Sequence, residues 1–204
     1  MAKRFQRGVN AFASTVDDES PQALQALAAL VLPGEQIYLA QVPAIATPPG
    51  LRLVKGAPAL QMLGGALDAG DDRDVVELGE PDAAEMLALA QLTRPSPFMA
   101  LTHRMGRYIG VRQHGRLVAM AGERFRQPGF TEVSGVCTHP DARGQRLARR
   151  LSALVAARIA ARGEQPYLHV WAENAAAIAL YEALGFRART AIHVAVFERA
   201  VQDR

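Results

Sequence analysis

The sequence contains little cysteine and few aromatic residues, and it has no long apolar run. Its single cysteine, Cys137, cannot form an internal disulfide, which is typical of a protein from a reducing compartment. No apolar stretch approaches the roughly 20 residues that a transmembrane helix needs. The basic segment Met1–Arg7 is followed by polar and acidic residues, which argues against a secretory signal. We therefore expect a cytoplasmic protein.

The chain also has no large excess of charge of either sign, since the net charge is only +3 and most arginines are scattered along the chain. A nucleic-acid-binding protein usually concentrates basic residues on one face, together with aromatic stacking partners. Neither a nucleic acid nor a membrane is therefore expected as a partner. The histidines do not have the spacing of metal ligands, so no metal is expected either. Half of the residues are hydrophobic, which is enough for a core in one domain with an additional segment.

The chain divides into a segment over 1–74 and a region over 75–204, in which predicted strands and helices follow one another more closely. The first segment predicts a helix from Ser20-Pro21 to Pro33-Gly34, strands over 36–42 and 51–54, and a short helix over 57–67. The acidic, glycine-containing stretch 68–74 is interpreted as a linker, because it lacks the ligand spacing and closing glutamate of a calcium loop. Residues 1–74 are thus an N-terminal extension or a degenerate half-domain.

Residues 75–197 predict the order β-α-α-β-β-β-α-β-α-β, a mixed α/β fold with a central sheet and helices on its faces. Within it, Val136–Ala148 runs from the end of a strand through a glycine-containing turn into a helix. A helix start offers unpaired N–H groups and the positive end of the helix dipole, so it binds phosphates well. A nucleotide-hydrolysing phosphate loop would need a Gly-Lys-Ser/Thr ending, which is absent.

Two motifs in this region resemble the GNAT superfamily of N-acetyltransferases. The first is Arg143-Gly144-Gln145-Arg146-Leu147-Ala148, and the second is the Asn-capped helix Asn174–Phe186, which ends in Tyr-Glu-Ala-Leu-Gly-Phe. The resemblance covers about residues 75–197. In one position the chain departs from the family signature, because Arg146 stands where the family usually has glycine, a residue that lets the backbone approach a ligand closely.

The resemblance implies a GNAT fold, with a twisted and mostly antiparallel sheet, and acetyl-CoA or another acyl-CoA as the donor. It implies that the backbone N–H groups of the first motif hold the pyrophosphate and that the preceding strand edge pairs with the pantetheine arm. The coenzyme-binding residues implied in this way are Val136, Cys137, Thr138, Arg143, Gly144, Gln145, Arg146, Leu147, Ala148 and Asn174. Asn174 is first of all expected to cap its helix.

Acyl transfer needs a neutral amine, a stabilised oxyanion and a protonated leaving thiolate. The family resemblance implies Tyr181 as the general acid, with a packed core aromatic as the alternative. It implies Glu132 as the general base, directly or through water, with an exposed strand carboxylate as the alternative. Backbone N–H groups near Val136 are candidates for polarising the thioester carbonyl.

The acceptor is an unidentified primary amine, and the family resemblance places its pocket near residues 94–105. Phe98, His103 and Arg104 are the candidates there. The sequence thus favours an acetyltransferase that works by direct attack in a ternary complex. A non-catalytic acyl-CoA sensor or protein-interaction module on the same fold is the alternative, and a homodimer is left open.

Overall fold

The computed structural model of the protein describes residues 1–16, 19–65, 71–95 and 97–201. These residues form ten strands and four α-helices, with three short 3₁₀ helices at Glu80–Asp82, Thr102–Met105 and Pro140–Ala142. The strands and helices, in chain order, are β1 (Ala2–Arg4), β2 (Ala13–Thr15), α1 (Pro21–Ala29), β3 (Gln36–Gln41), β4 (Arg52–Gly64), β5 (Val75–Leu78), α2 (Ala83–Thr93), β6 (Tyr108–Gln113), β7 (Arg116–Gln127), β8 (Phe130–Thr138), α3 (Leu147–Ala161), β9 (Gln165–Trp171), α4 (Ala175–Ala183) and β10 (Phe186–Glu198).

Eight of these strands form one sheet in the order β3-β10-β4-β9-β8-β7-β6-β5. Every neighbouring pair is antiparallel except β8 and β9, which are parallel and are connected through α3. The predicted α/β class, with a mixed and mostly antiparallel sheet flanked by helices, is confirmed. Its largest apolar cluster joins α3 to the central strands, and it includes Leu151, Ile159 and Phe186, which are fully buried.

The predicted helix over 57–67 is wrong, because Arg52–Gly64 is a single long strand. Alanine, leucine and methionine favour a helix locally, but β4 lies between β9 and β10, where tertiary pairing outweighs local propensity. Pro58 has no N–H to donate, and the ladder with β9 begins only at the next residue, Ala59. Residues 66 and 67 of the predicted helix lie outside the described residues.

The first 64 residues contribute two strands to this sheet, since β3 pairs with β10 and β4 lies inside the sheet. The predicted helix after Ser20 is confirmed as α1, with Pro21 at its first turn and the Ser20 hydroxyl accepting from the Ala23 N–H at 3.3 Å. Residues 68–70 of the predicted linker lie outside the described residues. The division into 1–74 and 75–204 stays a prediction.

Glu35 connects the N-terminal strand to the loop that precedes β3. Its carboxylate contacts Arg4 at 2.7 Å and Arg7 at 3.1 Å, and it accepts from the Leu32 N–H at 2.9 Å. Partial burial by itself would raise the pKa of Glu35, but the hydrogen bonds from Arg4, the Leu32 N–H and Arg7 outweigh it and lower the pKa to about 2. The ionised form is therefore the one that stabilises the fold.

We expect Glu35→Gln to lower the free energy of unfolding at pH 7 by about 1–2 kcal/mol, since hydrogen bonds to a charged group are lost. The folded pKa lies below the unfolded value, so this contribution is present above about pH 4.5 and is lost as the pH falls towards 2. Urea unfolding at a series of pH values measures it. Glu173→Gln is the control, because Glu173 is mostly exposed. A difference that stays constant down to pH 3 would contradict the interpretation.

Candidate active site

The site begins where β8 and β9 separate. The two strands pair only over Phe130–Glu132 and Gln165–Tyr167, although β8 continues to Thr138 and β9 to Trp171. Beyond Glu132, the edge of β8 that faces β9 is no longer paired with it. Gly135, at φ +64°, lies at an irregularity in the pairing of β8 with β7. The resulting wedge exposes part of Val136 to a cleft.

The turn between β8 and α3 presents a helix start of positive potential to solvent. Arg143, Arg146 and Arg149 are exposed there, and the first turn of α3 contains no acidic residue. The first bond of the helical ladder runs from the Arg150 N–H to the Arg146 carbonyl at 3.0 Å, so the N–H groups of residues 147–149 precede it. A Cβ built on Gly144 meets nothing within 4 Å, so its backbone is open to a ligand.

Two clefts lie next to this wedge. The first cleft has a volume of about 660 Å³ and is bordered by Val136, Trp171, Asn174 and Tyr181, among other residues. The second cleft, of about 600 Å³, is bordered by Gln61, Phe125, Tyr167 and Arg189, among other residues. Among the described residues, four line both clefts: Phe12, Arg124, His169 and Val194. The N-terminal segment therefore contributes Phe12 to both.

Tyr181 and Asn174 reach the first cleft from α4 and from the residue that caps it. The Asn174 side chain accepts from the Ala177 N–H at 3.1 Å, which confirms the predicted cap. Tyr181 packs against Phe186 at 5.9 Å between ring centroids. Burial raises the pKa of Tyr181 to about 12, so the phenol keeps its proton at neutral pH. Tyr181 thus both packs against the core and borders the cleft.

The predicted coenzyme residues of β8 differ in their access to the first cleft. Val136 borders it, whereas Cys137 is buried and packs in the cluster around Met86 and Met120. Burial raises the pKa of the Cys137 thiol to about 11, so the thiol stays protonated near neutral pH. The Thr138 hydroxyl is buried without a hydrogen-bond partner among the described residues.

Glu132 is almost fully buried, at 1% exposure, and is not the exposed strand carboxylate that the sequence left open. Its two oxygens accept from Arg124 at 2.7 and 2.8 Å, and one of them also contacts His169 Nδ1 at 2.8 Å. Burial by itself would raise the pKa of Glu132, but the Arg124 charge, its hydrogen bonds and the bond to His169 lower it below the ordinary value. Glu132 therefore stays ionised.

His169 lies at the junction of the two clefts, with its side chain 21% exposed. Arg189 donates to the side-chain oxygen Oε1 of Gln61 at 2.5 Å. The side-chain amide nitrogen of Gln61 then lies 3.2 Å from His169 Nε2. The amide nitrogen is a donor and the ionised Glu132 is an acceptor, so the network assigns the proton to Nδ1 and the lone pair to Nε2. The Nε2 lone pair accepts from the Gln61 amide in this arrangement, and His169 can take a proton from a substrate at Nε2 when that amide is displaced.

The sequence favours only a structural role for His169 and does not single out Arg124. The β8-α3-β9 unit predicts parallel strands, and alternation places His169 on one face of β9, so the pattern contained a partial signal. The register that sets His169 beside Glu132 depends on the pairing of β8 with β9. No local sequence motif indicates this pairing.

The comparisons with known proteins agree with this arrangement. The family model for FR47-like proteins matches residues 108–194, which include β8, the turn, α3 and α4. A solved structure from Novosphingobium aromaticivorans, assigned to the GNAT family of acetyltransferases, is 46% identical, covers 98% of this chain and 89% of its own, and has a TM-score of 0.90. The chain belongs to the GNAT family. The predicted family and enzyme class, a GNAT-type acetyltransferase, are thereby confirmed.

More distant structures share the GNAT fold. The GCN5-related N-acetyltransferase from Kribbella flavida is 22% identical, covers 86% of this chain and 74% of its own, and has a TM-score of 0.56. The one from Sphaerobacter thermophilus is 16% identical, covers 88% and 65%, and has a TM-score of 0.58. A search of curated proteins finds no match.

Arg146, which stands where the GNAT signature usually has glycine, has a left-handed backbone at φ 59° and ψ 19°. Arg146 therefore does not adopt ordinary helical dihedrals. A left-handed conformation costs a residue with a Cβ roughly 1–2 kcal/mol, a cost that glycine avoids. The arginine therefore keeps the backbone geometry that glycine would allow, and its exposed side chain lies beside the helix start.

The first part of the predicted acceptor segment lines the first cleft, to which it contributes Arg94, Pro95 and Pro97. Phe98 borders the first cleft. His103 and Arg104 instead contact the Glu80 carboxylate, at 2.9 and 2.8 Å, and neither borders a cleft. The hydrogen bonds from Arg104 and His103 lower the pKa of Glu80 to about 2. Arg104 is thus already paired with an acid of the protein itself.

Neither a metal cluster nor a membrane helix is found in the part of the chain that the structure describes. Among those residues, no three histidine, cysteine, aspartate or glutamate side chains lie together in a way that could hold a metal ion. No helix within the same described ranges is long and apolar enough to cross a bilayer.

We expect Arg146→Gly to be more stable than Arg146→Ala by about 1 kcal/mol, because glycine adopts the left-handed backbone without strain. Thermal unfolding of the two variants measures the difference. Arg149 provides the control, since it is exposed within the right-handed first turn of α3, where glycine should be about 1 kcal/mol less stable than alanine. If the glycine variant differed from the alanine variant in the same direction at both positions, the left-handed assignment of Arg146 would be refuted.

Proposed function

We propose that this GNAT protein transfers an acetyl group from acetyl-CoA to a primary amine by direct attack in a ternary complex, in the cytoplasm. The observation that carries the proposal is the junction of the two clefts at His169, with Tyr181 bordering the first cleft. This arrangement offers one cleft to each substrate. The family membership supports the donor, because GNAT acetyltransferases generally use acetyl-CoA.

The turn before α3 fits a pyrophosphate. It combines free N–H groups, an open backbone at Gly144 and the exposed side chains of Arg143, Arg146 and Arg149. The residues proposed to hold the coenzyme are those implied by the family resemblance, over Val136–Thr138, Arg143–Ala148 and Asn174. Cys137 can take part only through its backbone, because its side chain is buried in the core. Acetyl-CoA supplies the thioester carbonyl that is attacked and the thiolate that leaves.

His169 is the proposed general base. Once the substrate amine has displaced the Gln61 amide, Nε2 removes a proton from this amine while the amine lone pair forms the new bond to the acetyl carbon. The carbon–sulfur bond then breaks, and the Tyr181 hydroxyl gives its proton to the departing thiolate. The pKa of Tyr181, raised to about 12, keeps that proton available. The Val136 backbone N–H stays a candidate for polarising the carbonyl.

In this mechanism Glu132 acts through His169. The family resemblance implies Glu132 as the base, directly or through water, but both of its oxygens are occupied by Arg124 and His169, and it is almost fully buried. An ionised Glu132 keeps the proton of His169 on Nδ1 and stabilises the imidazolium that forms during the reaction. Glu132 is therefore proposed as a positioning residue.

The function is tested by the binding of acetyl-CoA and by turnover with a panel of amines. We expect acetyl-CoA to raise the melting temperature, because a ligand that binds only the native state stabilises it. Tyr181→Phe should retain this shift but reduce kcat about 100-fold, since the leaving thiolate loses its acid. Tyr108→Phe is the matched control, because the Tyr108 hydroxyl is buried without a partner among the described residues. A failure to bind acetyl-CoA would refute the proposal. Binding without turnover on any amine would favour the alternative function, a non-catalytic acyl-CoA sensor.

The base is tested by His169→Gln, which keeps a polar side chain of similar length. We expect kcat/KM to fall about 100-fold at pH 7 and to recover partly at higher pH, where more of the amine is already neutral. His193→Gln is the control, because His193 is exposed on β10 and borders neither cleft. A loss of activity that is independent of pH would indicate a structural role for His169.

A further inference from the structure

The second cleft has a cationic lining. Its ionisable lining residues are Arg124, Tyr167, His169 and Arg189, and no aspartate or glutamate of the described residues borders it. The Glu132 charge behind it is matched by Arg124, with which it forms a buried ion pair at 2.7 Å. The Arg189 charge therefore remains in excess at this cleft. A polyamine would be repelled here, whereas an anionic group would be attracted.

Arg124 presents an unused donor inside the molecule. Its Nε and Nη2 atoms donate to Glu132, but Nη1 is buried and has no partner among the described residues. The side chain is 5% exposed and its guanidinium lies 5.0 Å from the Phe12 ring and 4.7 Å from the Phe125 ring. These rings fix the guanidinium in a residue that borders both clefts. A carboxylate is the ligand group that satisfies such a charged N–H best.

Arg124 and His169 are held side by side by one carboxylate. Arg124 Nε contacts Oε2 of Glu132 at 2.7 Å, and His169 Nδ1 contacts Oε1 at 2.8 Å. The guanidinium and the imidazole are therefore neighbours across this carboxylate. On the other side of the imidazole, the Gln61 amide links His169 to Arg189, because its nitrogen lies 3.2 Å from His169 Nε2 and its oxygen accepts from Arg189 at 2.5 Å. A ligand that takes the place of this amide needs its amine and carboxylate close together, as in an α-amino acid.

Apolar side chains make up much of the remaining wall. Phe12, Phe125, Phe130 and Ile192 border the second cleft, and Phe130 is 44% exposed at the end of β8. Such walls favour a ligand with an apolar part, because its burial removes apolar surface from water.

We propose that the second cleft binds an α-amino acid with an apolar side chain as the acetyl acceptor. Its carboxylate pairs with the excess charge of Arg189, its amine takes the place of the Gln61 amide at His169 Nε2, and its side chain packs against the phenylalanines. This inference rests on the proposed function and narrows it to one class of acceptor.

Three ligands with the same ring test the role of the carboxylate: phenylalanine, phenylalaninamide and 2-phenylethylamine. Calorimetry measures their binding to the free and the coenzyme A-saturated protein, and a thiol-release assay with acetyl-CoA measures transfer. We expect phenylalanine to bind at least about tenfold more tightly than either analogue and to have the highest kcat/KM. The reason is that only phenylalanine has a carboxylate that can pair with an arginine. The amide has the more readily deprotonated amine, so amine basicity cannot produce this preference.

Arg189→Gln should reduce the preference for phenylalanine over its amide severalfold, because only phenylalanine loses a charge pair. Arg187→Gln, two residues earlier on β10 and outside the cleft, is the matched control. Equal or tighter binding of the analogues, a preference for a polyamine, or no detectable binding of phenylalanine would overturn the inference. If acetyl-CoA binds and other amines are acetylated, only the acceptor class is wrong. If no acyl-CoA binds, the proposed function itself fails.

Discussion

The buried ion pair between Arg124 and Glu132 connects β7 to β8 at the point where the two clefts meet. Burying two charges is costly, and the cost is offset only when the geometry is close and the remaining donors and acceptors are occupied. Two hydrogen bonds and the contact to His169 meet this requirement for the carboxylate. The free Nη1 of Arg124 is the exception, and it belongs to a residue that borders both clefts.

The same region depends on the geometry of the sheet. If β8 and β9 paired along their full length, the edge of β8 would be covered and Val136 would not reach a cleft. The strands separate after Glu132, while β4 pairs with the other edge of β9. The N-terminal segment therefore does more than precede the GNAT region, because β4 completes the sheet beside the wedge and Phe12 borders both clefts.

Much of the fold could be predicted from the pattern of residues in 75–197. Strand and helix order followed from hydrophobic periodicity and from turn residues, and the second motif identified α4 together with its cap. The long strand β4 could not be predicted in this way, because its residues favour a helix and only pairing with β9 and β10 makes it extended. The left-handed backbone of Arg146 was likewise hidden, since arginine rarely adopts it.

The sequence by itself determined the family, the turn proposed to bind phosphate and the position of Tyr181, because these depend on short-range spacing along the chain. Only the tertiary structure decided which groups surround the proposed reacting centre. Glu132 and His169 are 37 residues apart, and Gln61 is 108 residues from His169. Their contact depends on strand register in the sheet, which is set by the packing of the whole core and not by any local pattern.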